Sequence, residues 1–195
     1  FTKLDLRDRV AVDEYIDKLK PTVIFHLAAD ATEGRSHFTP FSALDNNLVG
    51  YLNLLVPAIK NGLRHMVLTS SMSVYGAQQV PFTEDMMPMP EDPYAVSKSA
   101  MESVTRIQSN VFGFTYTIIR PHNVFGPRQN IADPYRNVIG IFLNRLLNDQ
   151  HFYIYGDGEQ VRALSYISDV VPPIIRAAKD EKCRGRIINI GGETP

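Results

Sequence analysis

The chain predicts an α/β fold built on a doubly wound parallel sheet. Three observations carry this expectation: short apolar runs rich in β-branched residues, amphipathic stretches between them, and polar residues able to do chemistry placed just after the runs. Strands buried on both faces read as continuous apolar segments. Their alternation with helices is the pattern of a parallel sheet, which takes ligands beyond the carboxyl ends of its strands.

In chain order, residues 21–27 form an apolar run bounded by Pro21 and by Ala28-Ala29-Asp30, and predict a first strand. Over residues 41–59, Leu44, Leu48, Leu52 and Leu55 recur at helical spacing, and Asn61-Gly62 closes the helix. Residues 65–69 predict a second strand and residues 70–93 a loop. Residues 94–112 predict a helix ending at Gly113, and β-branched residues 115–119 a third strand. Beyond Gly126 the texture changes. A loop at 127–130 leads to a short helix at 137–147, then a strand and turn at 152–158. A helix capped by Ser168-Asp169 runs to Ala178 with Pro172 in its first turn, and residues 186–190 form a last strand before Gly191-Gly192.

A chain of 195 residues suits one domain, or one domain and part of another. The formal net charge is −1, and no charge run points to nucleic acid or a membrane surface. No apolar run is long enough to span a bilayer. Cys183 is alone, which excludes an internal disulfide framework and fits a reducing cytoplasm. His37 and His151 have no partners at ligand spacing, so no metal site is expected. Met86-Met87 and Met89 read as loop packing, and Gly156-Asp157-Gly158 as a turn.

The most informative stretch is Tyr94-Ala95-Val96-Ser97-Lys98. On a helix, Tyr94 and Lys98 share one face. An ammonium beside a phenol favours the phenolate, which can then exchange a proton with a substrate hydroxyl. Ser71, just after the second strand, can hydrogen-bond the same substrate oxygen. Together the three residues suit removal of a proton from an alcohol while hydride leaves the same carbon, which implies a nicotinamide acceptor. Each has a plainer reading: Tyr94 as a surface residue, Ser71 as a turn-former.

The neighbours of these residues make the pattern specific. Thr69-Ser70-Ser71-Met72-Ser73-Val74-Tyr75-Gly76, Tyr94-x-x-x-Lys98 and Arg120-Pro121-His122-Asn123-Val124-Phe125-Gly126-Pro127 occur in that order. The chain resembles the extended short-chain dehydrogenase/reductases, in particular the NAD-dependent nucleotide-sugar epimerases, from Asp5 to about Gly192. The resemblance implies NAD as cofactor, with Asp5 and Leu6 near the adenine and Leu27, Ala28 and Ala29 in the cofactor-contacting turn. It places Ser70, Pro121 and His122 against the cofactor too, with His122 where an aromatic residue often faces the nicotinamide. Asn47 matches the asparagine that orders water and lysine, Ser71 the catalytic hydroxyl, Tyr94 the acid/base and Lys98 its partner and a ribose ligand. Asn123 and Arg162 match ligands of the substrate diphosphate, a role the guanidinium fork suits. Asp5 as a turn carboxylate and Arg162 as a solvated loop residue are the plainer alternatives. His26 reads as a structural residue, since Tyr94 fills the role of base.

Departures from the family pattern narrow the chemistry. Sugar dehydratases of the family carry Asp-Glu before Val-Tyr-Gly, and decarboxylases keep the Glu; here stand Met72-Ser73. Ala163 replaces an acidic residue common after the phosphate arginine. Return of the hydride to the opposite face, a 4-epimerisation of the UDP-glucose/UDP-galactose type, is the simplest outcome. Another nucleotide-sugar oxidoreductase or dehydratase and an inactive fragment remain as alternatives. No Gly-x-x-Gly-x-x-Gly occurs in the chain. The resemblance therefore implies a Rossmann sheet lacking its first strands at residues 1–126, part of a substrate lobe at 127–165, and a helix and strand returning to the sheet at 166–195. It also implies a homodimer through helices 41–59 and 94–112, and a cytoplasmic location.

Overall fold

Four parallel strands form the central sheet of the computed structural model, which describes residues 1–135, 137–154 and 156–192. The elements are α1 (Arg9–Leu19), β1 (Val23–His26), α2 (Glu33–Ser36), α3 (Pro40–Leu44), α4 (Gly50–Lys60), β2 (His65–Thr69) and α5 (Pro93–Phe112). They continue as β3 (Thr115–Pro121), β4 (Val124–Phe125), α6 (Val138–Leu147), β5 (Ser165–Tyr166), α7 (Ile167–Lys179) and β6 (Arg186–Ile190). The strand order is β1-β2-β3-β6 with β1 at one edge, and β4 pairs with β5 in a separate small sheet.

The period of two along a strand explains the layers. Met66 and Leu68 of β2 and Ile118 of β3 pack with Val12, Ile16, Tyr51, Leu55, Ala58 and Met101 from α1, α4 and α5. Their neighbours Val67 and Ile119 face the other way, onto Val170, Ile174 and Ala177 of α7. The sheet is thus covered on both faces over β2 and β3, as their apolar runs require, while Val23 and Phe25 of β1 stay exposed on the α7 side. The register aligns His26 with Leu68, Thr69 with Ile119 and Pro121 with Ile190, so the strands end along one common edge.

Several boundaries differ from the sequence expectation. The helix expected over 41–59 is α3 and α4 joined by a π-helical segment, Asp45–Val49. Helix α1 is an addition; Val12 and Ile16, four apart and both buried, are its signal, and the Asp8 side chain caps it. Ser168 and Asp169 do not cap α7, which starts earlier with Tyr166 at the N-cap and holds Pro172 and Pro173 in its interior. Residues 152–154 form no strand, and Tyr155 lies outside the described residues, as do residues 193–195. Within the expected 70–93 loop, Met72–Tyr75 forms one 3-10 turn.

Candidate active site at the carboxyl edge of the sheet

The N-terminus of α5 is fixed by local chemistry. Asp92 is the N-cap and accepts from Ala95 N at 2.8 Å, while Pro93 takes the first helical position. Tyr94 follows, so its phenol stands at the helix end where negative charge is favoured. The Ser36 hydroxyl accepts from Tyr94 N at 3.2 Å and donates to Asp92 Oδ1, tying α2 to this end. Tyr94 is 5% exposed.

One turn on, Lys98 is 2% exposed, and its ammonium lies 5.8 Å from the Tyr94 ring centroid. Its Nζ donates to the Thr69 carbonyl at 2.8 Å, which pins the lysine to the end of β2. Burial pushes the Lys98 pKa down to about 8, against the opposing pull of Glu102 and Glu33. An ammonium has three donors and one is taken by Thr69.

Ser71 is the N-cap of the 3-10 turn that follows β2. Its Oγ accepts from Ser73 N at 3.2 Å and from Ser73 Oγ at 2.7 Å. A serine hydroxyl has two acceptor lone pairs and one proton. With both lone pairs engaged, Ser71 is left as a donor, the polarity needed to hold a substrate oxygen. The turn-forming and functional readings of Ser71 therefore hold together. Ser70 instead points its hydroxyl at Glu102 Oε1 in the interior.

Asn47 lies in the π-helical segment and is fully buried. Its Oδ1 accepts from Asp30 N at 2.7 Å, and its Nδ2 donates to Asp30 O and Ser97 Oγ. Its direct partners are thus the turn after β1 and the residue beside Lys98, while the lysine itself bonds Thr69. Leu27, Ala28 and Ala29, in that turn, are exposed. His26 is 3% exposed, packs on Tyr51 at 4.9 Å, and is held neutral: burial, aided by the Lys98 charge, lowers its pKa to about 3.

Asn123 has φ 37, a left-handed conformation tolerated by Asn. Its Nδ2 donates to Ala163 O at 2.9 Å, and Val124 and Phe125 pair with Ser165 and Tyr166. This pairing, which the sequence did not signal, brings Asn123 beside the segment that carries Arg162. Arg162 is exposed, and its Nη1 donates to the neighbouring Val161 O at 2.8 Å. Pro121 ends β3, and His122 follows, half-buried, its pKa lowered by burial. Gly191 leaves room for that ring, since an added Cβ would lie 2.9 Å from His122 Cβ. Asp5 behaves as a turn carboxylate: Arg7 binds it through backbone and side chain and lowers its pKa to about 2, while Leu6 O accepts from Asn53.

The edge has unmet polar capacity. His26 Nε2, Thr69 Oγ1 and His122 Nε2 are buried without a hydrogen-bond partner, and they stand at or just beyond the ends of β1, β2 and β3. Buried polar groups without partners are uncommon. They do not form one row: His26 shares the face of Leu68 and Tyr51, while Thr69, one residue after Leu68, turns with Val67 to the α7 face.

The family model described as the NAD dependent epimerase/dehydratase family matches residues 1–191. The chain belongs to this family. It is 38% identical over 181 residues to a UDP-glucose 4-epimerase of Mycolicibacterium smegmatis, covering 91% of this chain and 56% of that protein. It is 33% identical to a UDP-N-acetyl-alpha-D-glucosaminuronate decarboxylase of Bacillus cytotoxicus, covering 97% of this chain and 59% of that one. The crystal structure of a UDP-glucose 4-epimerase of Thermotoga maritima with UDP-glucose superposes with a TM-score of 0.90 at 31% identity, over 98% of this chain and 62% of that chain. The chain thus spans under two thirds of the length of these relatives. Among the described residues, no helix is long and apolar enough to cross a membrane, and no cluster of His, Cys, Asp and Glu could hold a metal ion.

Proposed function

We propose that the protein is an NAD-dependent nucleotide-sugar 4-epimerase of the UDP-glucose/UDP-galactose type. The observation that carries this reading is the Ser71–Ser73 hydrogen bond at 2.7 Å beside the Tyr94–Lys98 pair. Position 73 supplies a hydroxyl that orients Ser71, where elimination or decarboxylation would call for a carboxylate.

Lys98 would hold the cofactor ribose, with Leu27, Ala28, Ala29, Asn47, Ser70, Pro121 and His122 around it; support for this rests on the two ammonium donors that the Thr69 bond leaves to Lys98 at the end of β2. The chemistry that NAD supplies when bound is reversible acceptance of hydride from the sugar's C4. Tyr94 takes the proton of the C4 hydroxyl, and Ser71 donates to that oxygen as it becomes a carbonyl. Asn123 and Arg162 hold the diphosphate while the 4-keto sugar turns over. Tyr94 then returns the proton to the oxygen, and the sugar leaves with inverted C4. Asp5 and Leu6 take the adenine end, although the Asp5 carboxylate is already engaged by Arg7.

The test is interconversion of UDP-glucose and UDP-galactose by the full-length protein without net NADH. Tyr94→Phe is expected to remove most turnover, by about 100-fold or more. Full activity in that variant would end the assignment of Tyr94 as the acid/base.

A second reading, another nucleotide-sugar activity of the same family, is favoured by the decarboxylase relative at 33% identity. Carbon dioxide release or net NADH turnover with a nucleotide sugar would select it. The division into a sheet at 1–126, a lobe at 127–165 and a return to the sheet at 166–195 is supported by the pairing of β6 with β3. A cytoplasmic location is supported by the lone Cys183. A homodimer is supported by exposed Phe41, Val49 and Val56 on one helical stretch and Val96, Ile107 and Val111 on the other; the oligomeric state in solution tests it.

A further inference from the structure

A fully buried ion pair lies directly behind the proposed catalytic residues. Arg120 of β3 donates from Nε to Glu102 Oε1 at 2.9 Å and from Nη2 to Oε2 at 2.7 Å, and both side chains are 1% exposed. Ser70 adds its hydroxyl to the same Oε1. The guanidinium stacks over the Tyr75 ring at 4.6 Å, and the Tyr75 hydroxyl donates to Asn189 Oδ1 of β6 at 2.8 Å. One carboxylate on α5 is thereby joined to the ends of β2 and β3, to the turn carrying Ser73, and to β6.

Such a pair is an uneconomical source of stability. Desolvating two charges offsets their attraction, and well-packed apolar residues of similar volume often stabilise as much or more. What the pair adds is direction. Tyr94, Lys98 and Glu102 are spaced four and four residues along α5, on one face. A slip of α5 by one residue would move it about 1.5 Å and turn it about 100°. Apolar packing is non-directional and resists such a slip weakly; a bidentate guanidinium–carboxylate pair has one geometry.

We propose that Glu102, clamped by Arg120, is the positioning residue for the Tyr94–Lys98 pair, fixing α5 in register against the carboxyl ends of β2 and β3. The proposal rests on the reading of Tyr94 and Lys98 as the working pair. The charged and titratable groups that face Lys98 are Glu102 and Tyr94 on α5, Glu33 on α2 and His26 on β1. Loss of Glu102 removes one of the two carboxylates that support the ammonium.

The experiment compares Glu102→Gln and the paired change Glu102→Leu with Arg120→Met in the full-length protein. Melting temperature, kcat and KM for UDP-glucose, and the Lys98 pKa by NMR of labelled lysine are measured for each. The paired apolar variant is expected to melt near the original protein. Its kcat falls by about 100-fold at little-changed KM, and its Lys98 titrates below about 8, the value in the intact site. Retention of the original kcat and Lys98 pKa, with Tyr94→Phe inactive beside it, overturns the proposal and leaves the functional reading standing. Full activity of Tyr94→Phe overturns the functional reading, and the Lys98 pKa then decides the ion pair's role alone. If neither variant folds, the pair is a stability element and the proposal fails.

Discussion

Lys98 Nζ donates to the Thr69 carbonyl at 2.8 Å, so the lysine of α5 is fastened to the residue two places before Ser71. This bond joins the two sequence motifs into one site. It also holds a cation in a nearly dry position, with consequences for stability and pH.

Burial lowers the Lys98 pKa from 10.5 to about 8. The folded state therefore binds fewer protons than the unfolded state between these values, and stability rises with pH across that window. The penalty for burying the charge is complete below about 8 and gone above 10.5. Lys98→Met is expected to gain about 2 kcal/mol at neutral pH. The gain should shrink in denaturant titrations as pH climbs through the window. Turnover should fall as pH rises through about 8, because the ammonium is the form that supports Tyr94.

Ser71 and Ser73 separate by kinetics. Ser71→Ala removes the donor to the substrate oxygen and should lower kcat by about 100-fold. It also removes the cap of the 3-10 turn, at about 1 kcal/mol. Ser73→Ala leaves Ser71 in place with one lone pair open, and should lower kcat less while leaving the melting temperature nearly unchanged. Equal kcat losses would show that Ser73 acts on substrate itself.

Gly76 sits at φ 63 and ψ −148, and an added Cβ would lie 2.1 Å from Met89 O. That region is essentially closed to other residues. Gly76→Ala should cost about 3 kcal/mol and loosen the turn that carries Ser71 and Ser73. A melting curve like that of the original chain would contradict this.

Strand β1 is an edge of the sheet, with Val23, Phe25 and Leu27 exposed along it. An apolar edge with open hydrogen-bonding groups invites pairing with another chain. The 195-residue chain should self-associate with rising concentration in light scattering. Phe25→Lys should reduce this without unfolding the sheet.

The chain contains no Gly-x-x-Gly-x-x-Gly, the loop that sets a helix N-terminus against a pyrophosphate. NAD binding by the 195-residue chain then rests on the groups at the strand ends, and calorimetry is expected to give an affinity weaker than micromolar. Micromolar affinity by calorimetry would show that the strand-end groups suffice.

Strand β2 is readable residue for residue because burial on both faces leaves consecutive apolar side chains, and β6 because Ile187, Ile188 and Ile190 stand between Gly185 and Gly191. Helix α5 was readable because Tyr94, Lys98 and Met101 share a face and Gly113 ends it. The π-helical segment around Asn47 was not readable: its widened turn arises where Asn47 bonds across to Asp30 and Ser97, and both partners are remote in sequence. The start of α7 differs from the expectation because Ser168 and Asp169 have capping side chains, while the β5 pairing with β4 ends at Tyr166, which becomes the N-cap two residues before Ser168.

By itself the sequence determined the alternation of strands and helices, the Tyr94–Lys98 spacing and the hydroxyl at Ser71, since these depend on neighbours a few residues away. Tertiary structure alone decided which way each polar group faces. It turned Ser70 inward to Glu102 and left Ser71 as a donor, tied Asp5 to Arg7, and set Asn123 against Ala163. It also joined Glu102 to Arg120, eighteen residues on. The physical reason is that buried hydrogen bonds must be satisfied by whatever groups the fold brings near, and that proximity is a property of the packed sheet rather than of any local stretch of chain.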